Sequence, residues 1–273
     1  MKLLQFTDIH LTTPGDTIGG RDPNANFERA LAHALARHDD AEALIVTGDL
    51  SDWGERSDYE RLKARLERLP LPWRLCIGNH DERDAFLGVF PDHADEDGHV
   101  QTVLPLSEGV AILLDTWGPE THAGHFCETR AAWADRALAA ASGPVHLFLH
   151  HNPIPTHLPP MDSIMLLDHA RLGDVVARWR EKIAHIHFGH CHIPLSGSLD
   201  GVPTSGIRGT NHAGFAAFGE AKLLSSSDLP ESYAVIFGDG MTVTKHMVEY
   251  GYAGPIRAEA SPDYATWSRD IVR

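Results

Sequence analysis

Short apolar runs, each followed by polar residues, recur along the first two thirds of the chain. Six of these runs have the length of a buried strand, at positions 3–7, 43–47, 73–77, 110–114, 145–149 and 183–188. Segments with apolar residues at helical spacing separate several of them, at about 26–38, 59–69, 129–141 and 170–180. Strands that alternate with helices predict an α/β layered fold in which polar residues gather at the carboxyl ends of the strands.

The pattern changes beyond Pro203. Glycines become frequent, and two further strand-like runs at 233–237 and 241–245 flank the pair Asp239-Gly240. An Asp-Gly pair between two such runs predicts a β-hairpin. The segment also carries aromatic residues, so its surface is too apolar for a hairpin that stands alone in water. It must therefore either pack back on the core or pair with another chain.

Composition places the chain among soluble globular proteins and excludes some partners. Of the 273 residues 42 % are hydrophobic and 22 % are charged, and the net charge is −15, which disfavours tight binding to a nucleic acid backbone. A carboxylate at position 8 and the lack of about 18 consecutive apolar residues argue against a signal peptide and a membrane span. We therefore expect a cytoplasmic protein with neither nucleic acid nor membrane as a partner.

Histidine is the unusual residue, with 19 copies. Several stand beside Asp, Asn or Gly immediately after a predicted strand. The clusters are Asp8-x-His10, Gly48-Asp49, Gly78-Asn79-His80-Asp81, His150-His151 and Gly189-His190-x-His192. Each cluster alone is compatible with an ordinary turn. Together they supply carboxylate, amide and imidazole ligands without cysteine, the mixture that suits Mn, Fe, Co or Zn, and predict a catalytic metal site.

The order of these clusters resembles the signature of the calcineurin-like metallophosphoesterase superfamily. Within it, further segments resemble the bacterial class III phosphodiesterases, the branch of glycerophosphodiesterases and cyclic-nucleotide phosphodiesterases. Those segments are His150-His151-x-Pro153-x-Pro155, Met161-Asp162-Ser163-Ile164, Gly209-Thr210-x-His212 and Tyr252-Ala253-Gly254-Pro255. The resemblance implies a four-layer αββα sandwich with a small C-terminal β cap or dimerisation arm, and a homodimer or a multiple of one. Its predicted parts are a catalytic domain at 1–209, the β-hairpin cap or arm at 210–250 and a tail packed on the core at 251–273.

The resemblance also implies two transition-metal ions per chain and a role for each matched residue. One ion would be held by Asp8, His10, Asp49 and His192, and Asp49 would bridge to a second ion held by Asn79, His150 and His190. Asp49 and His80 would be the catalytic residues. Asn79, His80 and His212 would contact the substrate. For His80 an alternative is a supporting role, in which it only orients a ligand.

These roles predict a dimetal phosphodiesterase that hydrolyses small soluble phosphodiesters by attack of a metal-bound hydroxide on phosphorus. Glycerophosphodiesters are the expected substrates. A 3′,5′-cyclic-nucleotide phosphodiesterase on the same scaffold is the alternative, because water attacking one phosphorus serves both. A non-catalytic binding protein with this fold is a further alternative, although none of the matched positions is altered.

Overall fold

The computed structural model describes residues 1–219 and 223–257. Most of the predicted tail at 251–273 therefore lies outside the described residues. The helices are α1 (Pro23–Arg37), α2 (Arg56–Leu66), α3 (Arg83–Leu87), α4 (Glu128–Ala140), α5 (Pro159–Asp162) and α6 (His169–Trp179). The strands are β1 (Lys2–Phe6), β2 (Ala43–Thr47), β3 (Trp73–Cys76), β4 (Thr102–Pro105), β5 (Val110–Leu113), β6 (Val145–Phe148), β7 (Ile183–Phe188), β8 (Leu195–Leu199), β9 (Val202–Gly206), β10 (Ala213–Phe215), β11 (Ser225–Ser227), β12 (Tyr233–Asp239) and β13 (Thr242–Val248). Within the described ranges, no helix combines the length and the apolar character needed to cross a bilayer.

Two sheets face each other and carry helices on their outer sides. The first sheet has the order β13-β12-β1-β2-β3, and the second has the order β4-β5-β6-β7-β9-β8. Helices α1, α2 and α3 pack on the first sheet, while α4 and α6 pack on the second. Apolar side chains of both sheets, such as Leu3, Ile45, Ala111 and Phe148, fill the space between them. The predicted four-layer αββα sandwich is confirmed.

Helix α1 shows how local sequence sets these elements. It begins at Pro23, three residues before the predicted start, because Asp22 caps it: the Asp22 carboxylate accepts a hydrogen bond of 3.0 Å from the Ala25 amide. Proline fits the first helical position, where its missing N–H costs no hydrogen bond. The helix then buries Phe27 and Leu31 against the first sheet. Capping therefore decides where this helix starts, and the apolar stripe decides which face is buried.

The C-terminal hairpin is part of the core. Strand β12 pairs antiparallel with β1, with Leu3 opposite Ile236, and β13 pairs with β12. Tyr233 and Ile236 are fully buried. The prediction of a cap or dimerisation arm at 210–250 is therefore wrong for residues 233–248, because the open edge of β1 offers this apolar hairpin a partner within its own chain. Among the described strands, only the short pair β10 and β11 lies outside both sheets.

Three histidines lie on the inner face of the second sheet, among the apolar side chains. His146 Nδ1 is 3.2 Å from His187 Nε2, and the ring of His185 stacks on that of His187 with centroids 4.4 Å apart. Burial lowers the pKa of His146 to about 4, and burial together with the charge of Lys245 lowers the pKa of His185 to about 3. Burial also holds the pKa of His187 well below its usual value. The folded protein therefore keeps all three imidazoles neutral at pH 7.

This layer predicts a specific loss of stability in acid. A histidine whose pKa is lowered by folding stabilises the fold above its unfolded pKa of about 6.5, and that contribution is lost as the pH falls toward the folded pKa. With its pKa lowered to about 4, His146 should therefore cost about 2 kcal/mol of the free energy of unfolding between pH 8 and pH 5. Over the same pH range, we expect the free energy of unfolding of His146→Asn to fall by about 2 kcal/mol less than that of the unaltered protein. Urea unfolding with a chelator present measures both values. An equal fall in both proteins would contradict the assignment.

Candidate metal centre

The carboxyl ends of five strands from the two sheets meet at one place. Each of these ends carries polar side chains, as predicted. Asp8 and His10 follow β1, Asp49 follows β2, Asn79 and His80 follow β3, His150 follows β6, and His190 and His192 follow β7. All the predicted metal ligands are brought together, with the first sheet supplying Asp8, His10, Asp49 and Asn79 and the second supplying His150, His190 and His192. The site thus spans the two halves of the sandwich.

The backbone at these strand ends adopts an uncommon conformation. Asp8, His10, Asp49, His190 and His192 all have left-handed backbone angles, with φ between 46° and 65°. Residues other than glycine rarely adopt this region, which costs on the order of 1–3 kcal/mol at each position. Left-handed residues therefore follow three of the five strands, β1, β2 and β7. The arrangement is typical of functional sites, where the surrounding structure maintains local strain.

Two glycines make room for one imidazole. A Cβ atom on Gly48 would lie 2.5 Å from His150 Nδ1, and a Cβ atom on Gly78 would lie 2.6 Å from His150 Nε2. Gly48 also has a φ of 91°, a conformation that side chains with Cβ rarely take. The sequence pairs Gly48-Asp49 and Gly78-Asn79 therefore have a steric reason. They allow the His150 ring, from the second sheet, to reach the polar residues of the first.

The first group of donors contains two carboxylates and two imidazoles. One ligand atom from each of Asp8, His10, Asp49 and His192 lies within 4.8 Å of the others. His192 Nε2 is 3.2 Å from Asp8 Oδ1, and His10 Nε2 is 3.5 Å from Asp49 Oδ2. His10 donates from Nδ1 to Asp52, and His192 donates from Nδ1 to the carbonyl of His212. Each ring therefore turns the lone pair of its Nε2 atom toward the carboxylates, as a metal ligand must.

The second group lies on the other side of Asp49. His150 donates from Nδ1 to the Thr47 carbonyl at 2.7 Å, which leaves its Nε2 atom 3.4 Å from Asp49 Oδ1 and 3.1 Å from Asn79 Oδ1. His190 is buried, and within the described part of the chain its Nε2 atom has no hydrogen-bond partner. An unpartnered buried nitrogen is costly unless an ion or water occupies the space. The donor set therefore fits a second ion, and Asp49 stands between the two groups.

The charges of Asp49, Asp8 and His190 suit metal binding. Burial alone would raise the pKa of Asp49, but the neighbouring His150, His80 and His10 hold it well below its usual value. Burial would raise the pKa of Asp8 too, and His192 instead lowers it strongly. Burial lowers the pKa of His190 to about 3. Both carboxylates are therefore ionised and His190 is neutral at pH 7, the forms in which these groups bind metal.

A cavity of about 620 Å³ opens over the two groups of donors. His80 lines it and donates from Nδ1 to the Asp52 carbonyl at 2.9 Å, so its Nε2 atom is free for another partner. Burial alone would lower the pKa of His80, but the carboxylate of Asp49 and the Asp52 carbonyl raise it above its usual value. His80 thus faces the cavity as a ring that favours its charged form. This position agrees with the predicted contact to a phosphoryl group.

His212 lies at the first group of donors. Its ring centroid is 4.2 Å from that of His192 and 5.1 Å from that of His10, and Asn211 donates to its Nδ1 atom. Burial and the charges of His192 and His10 lower the pKa of His212 to about 2, which keeps it neutral. The residue also lines the cavity. Its position fits the predicted substrate contact and is close enough to the donors to join them as a further ligand.

Four polar residues that support the site were assigned no role from the sequence. Asp81 is buried and accepts hydrogen bonds from the Gly78 and Ser51 amides and from the Tyr59 hydroxyl, and it fixes the turn that carries Asn79. Its place at the end of Gly78-Asn79-His80-Asp81 was a usable signal. The other three are Asp52, His122 and His151, which contact His10, Asn79 and Thr116 respectively. Nothing in the spacing of Asp52 or His122 marks them, since their roles depend on loops that meet only in the fold.

Known proteins resemble this chain in sequence and in fold. The family model described as calcineurin-like phosphoesterase matches residues 1–194. A probable cyclic nucleotide phosphodiesterase of Rhodopseudomonas palustris is 36 % identical, over 94 % of this chain and 95 % of its own length. A probable glycerophosphodiester phosphodiesterase of Arcobacter nitrofigilis is 25 % identical, over 70 % of this chain and 72 % of its own. A dimetal phosphatase from Danio rerio has a similar fold, with a TM-score of 0.65 at 14 % identity, covering 91 % of this chain and 98 % of its own.

Proposed function

The chain belongs to the calcineurin-like phosphoesterase family, and from this premise we propose that it is a metal-dependent hydrolase of small phosphodiesters. The observation that carries the proposal is the meeting of five strand ends around one cavity, where two carboxylates, an amide and several imidazoles converge. The full-length similarity to a relative named as a phosphodiesterase supports the same reaction class. A binding protein without activity is disfavoured because every matched donor is present.

Two transition-metal ions, of Mn, Fe, Zn or Co, would fit the two groups of donors. Asp8, His10, Asp49 and His192 would hold one, and Asn79, His150 and His190 would hold the other with Asp49 as the shared ligand. Asp49 is suited to this position because a carboxylate has two oxygen atoms to offer, whereas an imidazole offers one nitrogen at a time. When bound, such a pair of ions activates a water molecule and neutralises the phosphoryl oxygens.

The side chains of the cavity would do the remaining work. His80, held by the Asp52 carbonyl, has a free Nε2 atom that would donate a proton or a hydrogen bond to the phosphoryl group or the leaving oxygen. Asn79 would hold the substrate beside the second ion. His212, kept neutral by burial, would contact the substrate at the opposite side of the first group. Together these residues would orient the diester.

The cavity favours small diesters that carry one negative charge. No lysine or arginine occurs among the described residues that line it, so the walls offer no counter-charge for a polyanion. Glycerophosphodiesters remain our main substrate proposal, in agreement with the segments at 161–164 and 209–212. Cyclic nucleotides are a second candidate, and two observations favour them. One is the name of the 36 % identical relative, and the other is the apolar wall of Ile18, Met161, Ile164 and Leu224, which could accommodate a nucleobase.

Metal analysis and a substrate panel test the proposal. We expect the purified protein to bind two transition ions per chain, to lose activity when a chelator removes them and to regain it with Mn²⁺. The panel should contain glycerophosphocholine, glycerophosphoethanolamine, 2′,3′- and 3′,5′-cyclic AMP and a phosphomonoester. A tenfold preference in kcat/KM corresponds to only about 1.4 kcal/mol, so full kinetics are needed to rank the substrates. Full activity with one ion or none would refute the two-ion proposal.

A cytoplasmic location and a homodimer, both expected from the sequence, complete the proposal. Support for self-association comes from large apolar side chains exposed beside the cavity. They belong to β10, β11 and the connections that flank these strands, and the most exposed are Phe215, Phe218, Leu223 and Leu224. Pairing two copies through this segment would cover them. The dimerisation surface proposed here therefore replaces the hairpin at 233–248, which is occupied within the chain.

A further inference from the structure

A histidine outside both groups of donors contacts the only amide among the proposed ligands. His122 lies in the loop between β5 and α4, and its Nδ1 atom is 2.9 Å from Asn79 Nδ2. The nitrogen of a carboxamide can only donate, so His122 Nδ1 must accept. Among the described residues, no other side chain is hydrogen-bonded to Asn79 Nδ2.

The direction of the Asn79 amide decides whether it can bind a metal. Asn79 Oδ1 faces His150 Nε2 at 3.1 Å, on the side of the second group of donors, while Nδ2 faces away toward His122. Rotation of the amide by half a turn would instead present N–H groups to that group and remove an oxygen ligand. The terminal torsion of an asparagine is broad and roughly two-fold, so the covalent structure alone does not choose between these states.

Three of the ligand imidazoles are likewise held by a hydrogen bond on the side that faces away from the other donors. Each ligand imidazole with a defined proton position donates from its far nitrogen to an oxygen: His10 to Asp52, His150 to the Thr47 carbonyl, and His192 to the His212 carbonyl. Such partners fix the orientation of a ligand and tune its affinity for metal. Asn79 needs the opposite partner, an acceptor, because its far atom is a donor. His122 supplies that acceptor.

We propose that His122 is the positioning residue of Asn79 and so maintains the affinity of the second metal site. This inference rests on the proposed function, since it requires that Asn79 is a ligand. His122 acts through the amide of Asn79, and the second ion should be affected much more than the first. Its place on a loop of the second sheet also means that this contact joins the two halves of the site.

Two substitutions of His122 distinguish the loss of its hydrogen-bond acceptor from a change in side-chain volume. His122→Leu fills similar space but offers no acceptor, whereas His122→Asn can place a carbonyl oxygen near the position of Nδ1. We expect the leucine variant to bind the second Mn²⁺ ion 10- to 100-fold more weakly, with the first ion unchanged, as titration calorimetry would measure. The asparagine variant should recover most of the lost affinity. Excess Mn²⁺ should restore much of the kcat of the leucine variant.

His125→Leu is the matched control, because His125 lies in the same loop but pairs with Asp168 instead of a ligand. It should bind both ions like the unaltered protein. If the unaltered protein binds two ions and His122→Leu does so with affinities within threefold of it, the inference is overturned and the proposed function stands. If the unaltered protein binds only one ion, the second site itself is refuted and the inference fails with it. Circular dichroism of each variant with a chelator checks the fold.

Discussion

Replacing Asp49 with alanine is expected to lower kcat/KM by more than about 100-fold. This loss exceeds the usual effect of removing a residue that only hydrogen-bonds to a metal ligand. Asp49 lies within 3.5 Å of His10 Nε2 on one side and within 3.4 Å of His150 Nε2 on the other, so its removal takes a ligand from both proposed ions. We expect the purified variant to retain at most a fraction of either ion, as measured by metal analysis alongside steady-state kinetics.

Asp8→Ala provides the comparison for this experiment. Asp8 is equally buried and ionised, but it stands only with the group that contains His10 and His192. Its replacement should weaken the binding of one ion and leave the binding of the other unchanged. Two bound ions and near-normal turnover in Asp49→Ala would show that Asp49 does not bridge. Equal losses of both ions in the two variants would likewise contradict the proposed division of the ligands.

His80→Ala is expected to lower kcat by about 10²- to 10⁴-fold, the usual contribution of a positioned acid or base, while both ions remain bound. The ring is held by its hydrogen bond to the Asp52 carbonyl, and the residue lines the cavity. Nearby carboxylates favour the charged imidazole, which can stabilise negative charge as the phosphoryl group reacts. Metal analysis and kinetics on the same preparation measure the two quantities together.

The structure contains a reason to check the metal content of that variant. One ligand atom each of His10, Asp52 and His80 also lies within 4.8 Å of the others, and His80 shares Asp52 with His10. A supporting role for His80 would therefore act through Asp52 and His10. Loss of an ion in His80→Ala would establish that alternative and remove His80 from the catalytic residues. Retention of both ions with a lowered kcat would support the direct contact.

The ends of the buried strands could be predicted from the sequence because two independent signals coincide there. Apolar runs identify the strands, and the polar residues that follow them, such as Asp8 and His190, then fall at the carboxyl edge of a sheet. Supporting residues could not be found in this way. His122 has no motif, and its role depends on a loop of one sheet that meets Asn79 from the other. Contacts between distant loops are properties of the fold and leave no spacing in the sequence.

The hairpin shows a different limit. Its existence followed from Asp239-Gly240 and the apolar runs beside it, and the structure has both strands. Its partner did not follow, because a strand that needs an apolar neighbour can find one on another chain or in its own. The open edge of β1 decides the matter, and the first strand of a chain carries no sequence mark that tells how many neighbours it will have.

The pairing of β1 with β12 affects the order in which the first sheet can form during synthesis. Strand β1 is synthesised before β2, which pairs with one of its edges, but the strand that covers its other edge begins only at Tyr233. Every metal ligand proposed here has already been synthesised by His192. A nascent chain that has passed this point still presents an unpaired apolar edge, the kind of surface that recruits strands from other molecules. Synthesis of residues 233–248 is therefore needed before the edge of β1 can be covered within its own chain.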